Sequence, residues 1–395
     1  MRAKPLTCLL ALVLCATALL AAEPALTLKP NDLWVMAGDS ITAQRLHTNF
    51  IEAFFRTRFP GLNLQFRNSG IGGNQTSHIL ARFDYDVAAF KPTIVSIELG
   101  MNDVGGGDDP ARYIKGQRDL LAEIRGIGAT PVLISSSPVN DGSLPDAWKA
   151  DRCRRLHPYT EALVKLAAEE NVVCVDQYHP LLTLWGKNKA AEKPIDLTGD
   201  AVHPGMVGQY TMAATILAGL KVDGLVSSAS LQADGKVVEA KRCALSEISA
   251  ADGKLAFTRR DEASPWPLDP KCGPALELMP AIADLTRYEL KVAGLAAGRW
   301  RVSLNGQPAR TCSEQELAAG VNLGAATSGY FAVRATKIIG LIAQLQSKAN
   351  FAFRGASKAK LADKMAEGQK QIDELEAALK DACKPEPVRF EVVKE

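Results

Sequence analysis

The sequence has 395 residues, 47% hydrophobic and 23% charged, with a formal net charge of +2. That length carries at least one sizeable core and room for more than one domain. The balanced charge and the lack of long acidic or basic tracts exclude electrostatic targeting to nucleic acid or to an anionic membrane surface. In chain order, the first feature is "MRAKPLTCLLALVLCATALLAAEPALTLKP". Arg2 and Lys4 precede an apolar run over residues 6–20, and small residues lead to Ala22. This is the pattern of a secretory signal peptide over 1–22, and it predicts an exported protein, periplasmic or secreted. The run is short for a membrane anchor. Cys15 follows Leu-Val-Leu, without the small residue expected before a lipidated cysteine. No later stretch is long and apolar enough to span a membrane, so no stable membrane insertion is expected. Six cysteines would remain after cleavage (153, 174, 243, 272, 312 and 383), which allow fifteen pairings. None forms a C-x-x-C pair, so the scattered cysteines are not expected to build a zinc site.

From residue 31 to 222 strand-like and helix-like runs alternate. The strands are "LWVMA", "LNLQF", "TIVSIEL", "TPVLISS" and "NVVCVD". Helical spacing lies between them near 44–59, 77–90, 110–126 and 151–170, and a last helix is expected near 205–219. The third and fourth strands are continuously apolar, as interior strands of a parallel sheet covered on both faces are. The pattern predicts a doubly wound α/β domain. Residues 223–329 change to short alternating runs with turn signals. Leu290, Val292, Trp300, Val302 and Leu304 fall at even spacing, and Asn305-Gly306 marks a hairpin turn. A small β-rich unit is expected there. Residues 330–395 read as a C-terminal helical region. Ile338, Ile339, Leu341, Ile342 and Leu345 lie on one helix; Leu361, Met365, Ile372, Leu375, Leu379 and Ala382 share one face of another. The pair reads as a helical hairpin packed on its own protein; a partner-binding coiled coil would need a longer heptad run.

Ligands of open α/β sheets bind beyond the carboxyl ends of the strands. The first strand ends in Gly38-Asp39-Ser40, which alone reads as a helix cap. The second ends in "RNSGIGGN", whose glycines leave backbone N–H groups approachable; the spacing is not that of a dinucleotide fingerprint. The third ends in "ELGMND", with Gly100, Asn102 and Asp103. A serine nucleophile needs a base. Two histidines stand in D-x-x-H spacing, Asp176 to His179 and Asp200 to His203. The second pair lies directly before the final helix of the α/β segment, where one tight turn lets the carboxylate orient the imidazole toward the rim, and it is preferred. His47 and His78 fall on expected helices and read as packing or surface residues; His157 precedes a proline in a charged segment.

In order and spacing these four segments resemble the blocks of the SGNH-hydrolase superfamily, the GDSL-type esterases and lipases, with Ile41 in place of the usual leucine. The resemblance covers about half of the chain. It implies a flavodoxin-like sheet of strand order 2-1-3-4-5, with Ser40 and Asn102 at one crevice. It further implies a serine ester hydrolase with Ser40, Asp200 and His203 as catalytic residues. The oxyanion would meet the N–H groups of Ser40 and Gly70 and the amide of Asn102. No metal or organic cofactor is required; "GGGDDP" lacks EF-hand spacing and reads as a wall of the pocket. The rim loops "NDVGGGDDPARY" and "SSPVNDGSLPDAW" are polar and small, and hold Tyr113 and Trp148, which could stack on a sugar ring or pack beneath their loops. With the export signal, they point to a carbohydrate O-acyl (acetyl) esterase. The alternatives are a lysophospholipase or thioesterase on the same fold, and a catalytically silent carbohydrate-binding protein.

Overall fold

The computed structural model describes residues 24–139, 148–197, 200, 202–251, 253–353 and 361–395. The signal segment over 1–22 and most of the "SSPVNDGSLPDAW" loop lie outside them. The chain first builds β1 (Leu33–Gly38), α1 (Ser40–Ala43), α2 (His47–Arg58), β2 (Gln65–Gly70), α3 (Thr76–Asp86), β3 (Ile94–Glu98), α4 (Ala111–Gly126), β4 (Thr130–Ile134), α5 (Trp148–Glu170), β5 (Val173–Val175), α6 (Tyr178–Lys189) and α7 (Met206–Gly219). The five strands are parallel, in the order β2-β1-β3-β4-β5. Alternate residues of each strand enter opposite layers, as a pleated strand requires. Val35, Ala37, Val95, Ile97 and Leu133 pack with residues of α3, α4, α5 and α6. Trp34, Met36, Ile94, Val132, Ile134 and Val175 face α2 and α7. Each fully buried large side chain contributes about 1.5–3 kcal/mol, so the two layers fix the sheet and the positions of its strand ends.

The remaining elements are β6 (Leu225–Gln232), β7 (Val237–Lys241), β8 (Cys243–Ala251), β9 (Lys254–Asp261), α8 (Gly273–Leu278), β10 (Arg287–Ala293), β11 (Arg299–Leu304), β12 (Gln307–Ser313), α9 (Glu314–Ala319), β13 (Val321–Asn322), α10 (Gly329–Phe353), α11 (Leu361–Cys383) and β14 (Val388–Lys394). They form a four-stranded sheet, β13-β10-β6-β7, and a five-stranded sheet, β12-β11-β14-β9-β8. The hairpin between β11 and β12 turns at Asn305 and Gly306, both with positive φ, as a two-residue turn of this kind needs. Between α7 and β10 the chain returns to the parallel sheet. Trp266 stacks on Tyr210 at 4.5 Å and donates its ring N–H to the Phe50 carbonyl at 2.8 Å.

One feature departs from the sequence reading. Residues 388–394, taken as part of a helical region, form β14, which pairs antiparallel with both β11 and β9. Val388, Phe390 and Val392 are buried in alternation, a period-two signal in "VRFEVV". The helices α10 and α11 pack together and dock on α2. From α10, Gln346 reaches the outer edge of β2. Its amide donates to the Phe66 carbonyl (3.0 Å) and to Glu52 (2.7 Å), and its oxygen accepts from the Asn68 N–H (3.2 Å). A side-chain amide thus supplies the two backbone bonds that a sixth strand would make. Cys174, Cys243, Cys272, Cys312 and Cys383 are unpaired thiols. Among the described residues no helix is long and apolar enough to cross a membrane.

Candidate active site

Ser40 stands where β1 turns into α1. The turn is so tight that a Cβ on Gly38 would run into Thr42 and the Glu98 carbonyl. Asp39 caps α1, accepting the Ile41 N–H at 2.9 Å. The half-buried Ser40 hydroxyl lies 2.8 Å from His203 Nε2. His203 Nδ1 lies 2.9 Å from Asp200 Oδ2, and the other oxygen of that carboxylate accepts the N–H groups of Val202 (2.7 Å) and His203 (2.8 Å). The carboxylate fixes the proton on Nδ1 and leaves the Nε2 lone pair for the serine. Burial acts to raise the Asp200 carboxyl, but the hydrogen bonds from His203 and Val202 and the His203 charge outweigh it. The result is about 2, so Asp200 stays ionised across the neutral range.

The third strand delivers Asn102, whose amide donates to the Asn74 carbonyl at 3.1 Å and to Asp39 Oδ2 at 3.4 Å. Asp103 Oδ1 accepts the N–H (3.1 Å) and hydroxyl (3.0 Å) of Thr76, tying this turn to the start of α3. Beneath them lies a buried ion pair, His47 Nε2 to Glu98 at 2.8 Å, held by Gln209, Gln177 and Thr42. Burial opposes charge on both partners, yet their mutual attraction wins: His47 is raised and Glu98 lowered from the ordinary values. Asp39 is the exception. Burial above all, with the Glu98 and Asp103 charges added, lifts its carboxyl to about 7 against the Ile41 hydrogen bond.

The structure thus brings Ser40, Asp200, His203 and Asn102 to one rim. It corrects the reading of Gly70. The Gly70 N–H already donates to Asn68 Oδ1 at 3.0 Å, and the residue is buried against the backbone of Thr42 and Ala43. It is Gly72, exposed in the next turn, that comes alongside the serine; a Cβ there would lie 3.9 Å from Ser40 Cβ. Tyr113 is also corrected. It is 3% exposed, tilted against Tyr159 at 5.2 Å, and donates its hydroxyl to the Leu99 carbonyl, so it offers no face to a sugar. Trp148 opens α5, and the stacking expected of its ring lies outside the described residues. The sequence reading passed over Asp39 as a cap and His47 as a packing residue. The signal for the buried pair was Glu98, a carboxylate at the end of an apolar strand. The other D-x-x-H pair has the same local form, His179 Nδ1 to Asp176 at 2.6 Å, but its ring meets His157, not Ser40.

The model of the GDSL-like Lipase/Acylhydrolase family matches residues 36–210. An acetylxylan esterase of Geobacillus stearothermophilus is 26% identical over 182 residues, 42% of this chain and 77% of that protein. Among solved structures, a gut microbial diltiazem-metabolizing enzyme is 20% identical. It superposes with a TM-score of 0.78 over 94% of this chain and 99% of its own. That similarity is one of fold, and it extends to the added β sheets and the helical hairpin. Residues 36–210 belong to the GDSL-like lipase/acylhydrolase family of SGNH hydrolases, and the protein is a carboxylic ester hydrolase.

Proposed function

We propose that the protein is an exported carbohydrate O-acetyl esterase that works through an acyl-serine. The observation that carries the reading is the unbroken chain from Ser40 Oγ through the His203 ring to Asp200. Ser40 Oγ attacks the ester carbon as its proton passes to His203 Nε2, and Asp200 stabilises the imidazolium. The oxyanion is met by the Asn102 amide, the Ser40 N–H and the backbone of the Gly72–Gly73 turn. Collapse expels the alcohol, which takes the proton from His203. Water then attacks the acyl-serine with His203 again as base, releasing the acid and restoring the hydroxyl. No step needs a metal or an organic cofactor. The acetyl-sugar assignment is supported by the likeness to the 26% identical acetylxylan esterase and by the polar rim loops. Export is supported by the pattern of residues 1–22, with cleavage after Ala22; N-terminal sequencing of the secreted protein should begin at Glu23.

Three measurements test this. Ser40→Ala and His203→Ala should abolish ester hydrolysis in folded protein, while His179→Ala retains it; the reverse result for the two histidines would sink the assignment. A series of p-nitrophenyl esters should give the highest kcat/KM at acetyl. Each methylene accepted by an acyl pocket is worth about 0.8 kcal/mol, so a steady several-fold climb with chain length would instead indicate a lysophospholipase or thioesterase. Failure of a fluorophosphonate probe to label Ser40 would leave a binding protein.

A further inference from the structure

The second D-x-x-H pair takes no part in the chemistry proposed above, and it does not stand alone. His157 and Glu161 lie one turn apart on α5, and His179 lies at the start of α6. His157 Nδ1 is 3.0 Å from His179 Nε2, and Glu161 Oε1 is 3.7 Å from the same nitrogen. The three ligand atoms all lie within 4.8 Å of one another. We propose that His157, Glu161 and His179 form a binding site for a divalent transition-metal ion of the zinc class, separate from the catalytic site.

Three observations carry this. The spacing is right: zinc–nitrogen bonds of about 2.0–2.1 Å in a tetrahedron put neighbouring ligand atoms about 3.3 Å apart, so small side-chain rotations suffice. The orientation is prepared: Asp176 Oδ2 accepts the Nδ1 proton of His179 at 2.6 Å, while Asp176 Oδ1 accepts the His179 N–H at 3.2 Å. This carboxylate–imidazole arrangement commits Nε2, the nitrogen facing His157, to the lone pair that a metal needs. The donor set is selective: two imidazoles and one carboxylate suit zinc, cobalt, nickel or copper, and not the all-oxygen preference of calcium or magnesium. His157 and Glu161 are exposed, so an ion has direct entry and a fourth position stays open to water. The site is not an extension of the catalytic rim. Asp176 and His179 follow β5, which stands three strand spacings from β1, roughly 14 Å at about 4.8 Å each.

An ion here would clamp α5 to α6. Two residues beyond His157, Tyr159 donates its hydroxyl to the Gly107 carbonyl at 3.0 Å, with the Asp109 and Asp103 carbonyls close by at 3.2 and 3.4 Å. The clamped helix is therefore the one that holds the turn following Asn102.

Untagged protein is titrated with zinc chloride by calorimetry, and with cobalt chloride by visible absorption. Uptake of one equivalent is expected, with a tetrahedral cobalt spectrum free of any sulfur charge-transfer band, and a thermal midpoint that rises with zinc. His157→Ala and His179→Ala should each remove that equivalent. Asp176→Asn should weaken it about 10–100-fold, as loss of a carboxylate behind a metal-bound histidine does. His203→Ala should leave it intact. Uptake that survives in His157→Ala and His179→Ala, or that disappears in His203→Ala, would place the ion elsewhere and overturn the proposal. So would a sulfur-to-cobalt band, or no uptake by folded wild-type protein.

Discussion

Asn102 holds its amide between two acceptors, the Asn74 carbonyl and the Asp39 carboxyl, and the second contact is long at 3.4 Å. That hydrogen is free to turn to a developing oxyanion. Asn102→Ala should lower kcat by about 100–1000-fold with KM little changed, the usual result of losing such a donor; a change confined to KM would make it a binding residue. Asp39 titrates against the fold. Its carboxyl ionises near about 3.9 in an unfolded chain and at about 7 in the native one. Between those values the unfolded state has lost the proton and the native state keeps it. Stability is therefore fully present below about pH 4 and declines as pH rises to about 7. One pKa unit is worth about 1.4 kcal/mol, so the decline is on the order of a few kcal/mol. Asp39→Asn keeps the helix cap and removes the titration. Urea unfolding at about pH 4 and about pH 8 should show a smaller loss in the variant than in wild type. The convergence of Ser40, Asn102 and His203 was legible because each sits in a short segment just beyond a strand or before a helix. The two D-x-x-H pairs were a closer matter, since both form the same local hydrogen bonds and only the sheet decides which ring meets the serine. Gly70 was misread for a related reason. In "NSGIGGN" spacing cannot tell which N–H is already engaged, and the Asn68 side chain takes that of Gly70.

At the scale of the element, β2 and α1 are held at a contact that only glycine permits. A Cβ on Gly70 would strike the backbone of Ala43 and come within 2.7 Å of the Thr42 carbonyl carbon. Backbone cannot rotate aside as a side chain can, so α1 must move, and Ser40 with it. Gly70→Ala should destabilise the protein by about 2–3 kcal/mol and depress activity; Gly72→Ala, exposed and in open contact, should unfold within about 0.5 kcal/mol of wild type. Urea midpoints and kcat on one ester check both. The alternation of apolar strands with helical runs made the parallel sheet readable from sequence. β14 was missed because a long helical pattern precedes it and its partners, β9 and β11, lie far upstream. Periodicity reports the state of a segment and not its neighbours.

For the whole molecule, the helical hairpin was legible as two helices, but its berth was not. The contact that matters, Gln346 on β2, joins residues 278 apart in sequence. Gln346→Leu leaves the Asn68 N–H, the Phe66 carbonyl and one oxygen of Glu52 without this partner in a buried place. Unsatisfied groups of that kind cost about 1–3 kcal/mol, and the loss should appear in the urea midpoint with hydrolysis by the folded fraction retained. A different consequence follows from β14, and it is one of timing. This strand lies between β9 and β11, so both keep an open hydrogen-bonding edge until residues 388–394 arrive, with the whole of α10 and α11 looped out between. Closing so long a loop is entropically slow. In that interval an identical strand from another nascent copy fits the gap as well as the chain's own, and the last step of folding becomes a race between self-completion and exchange.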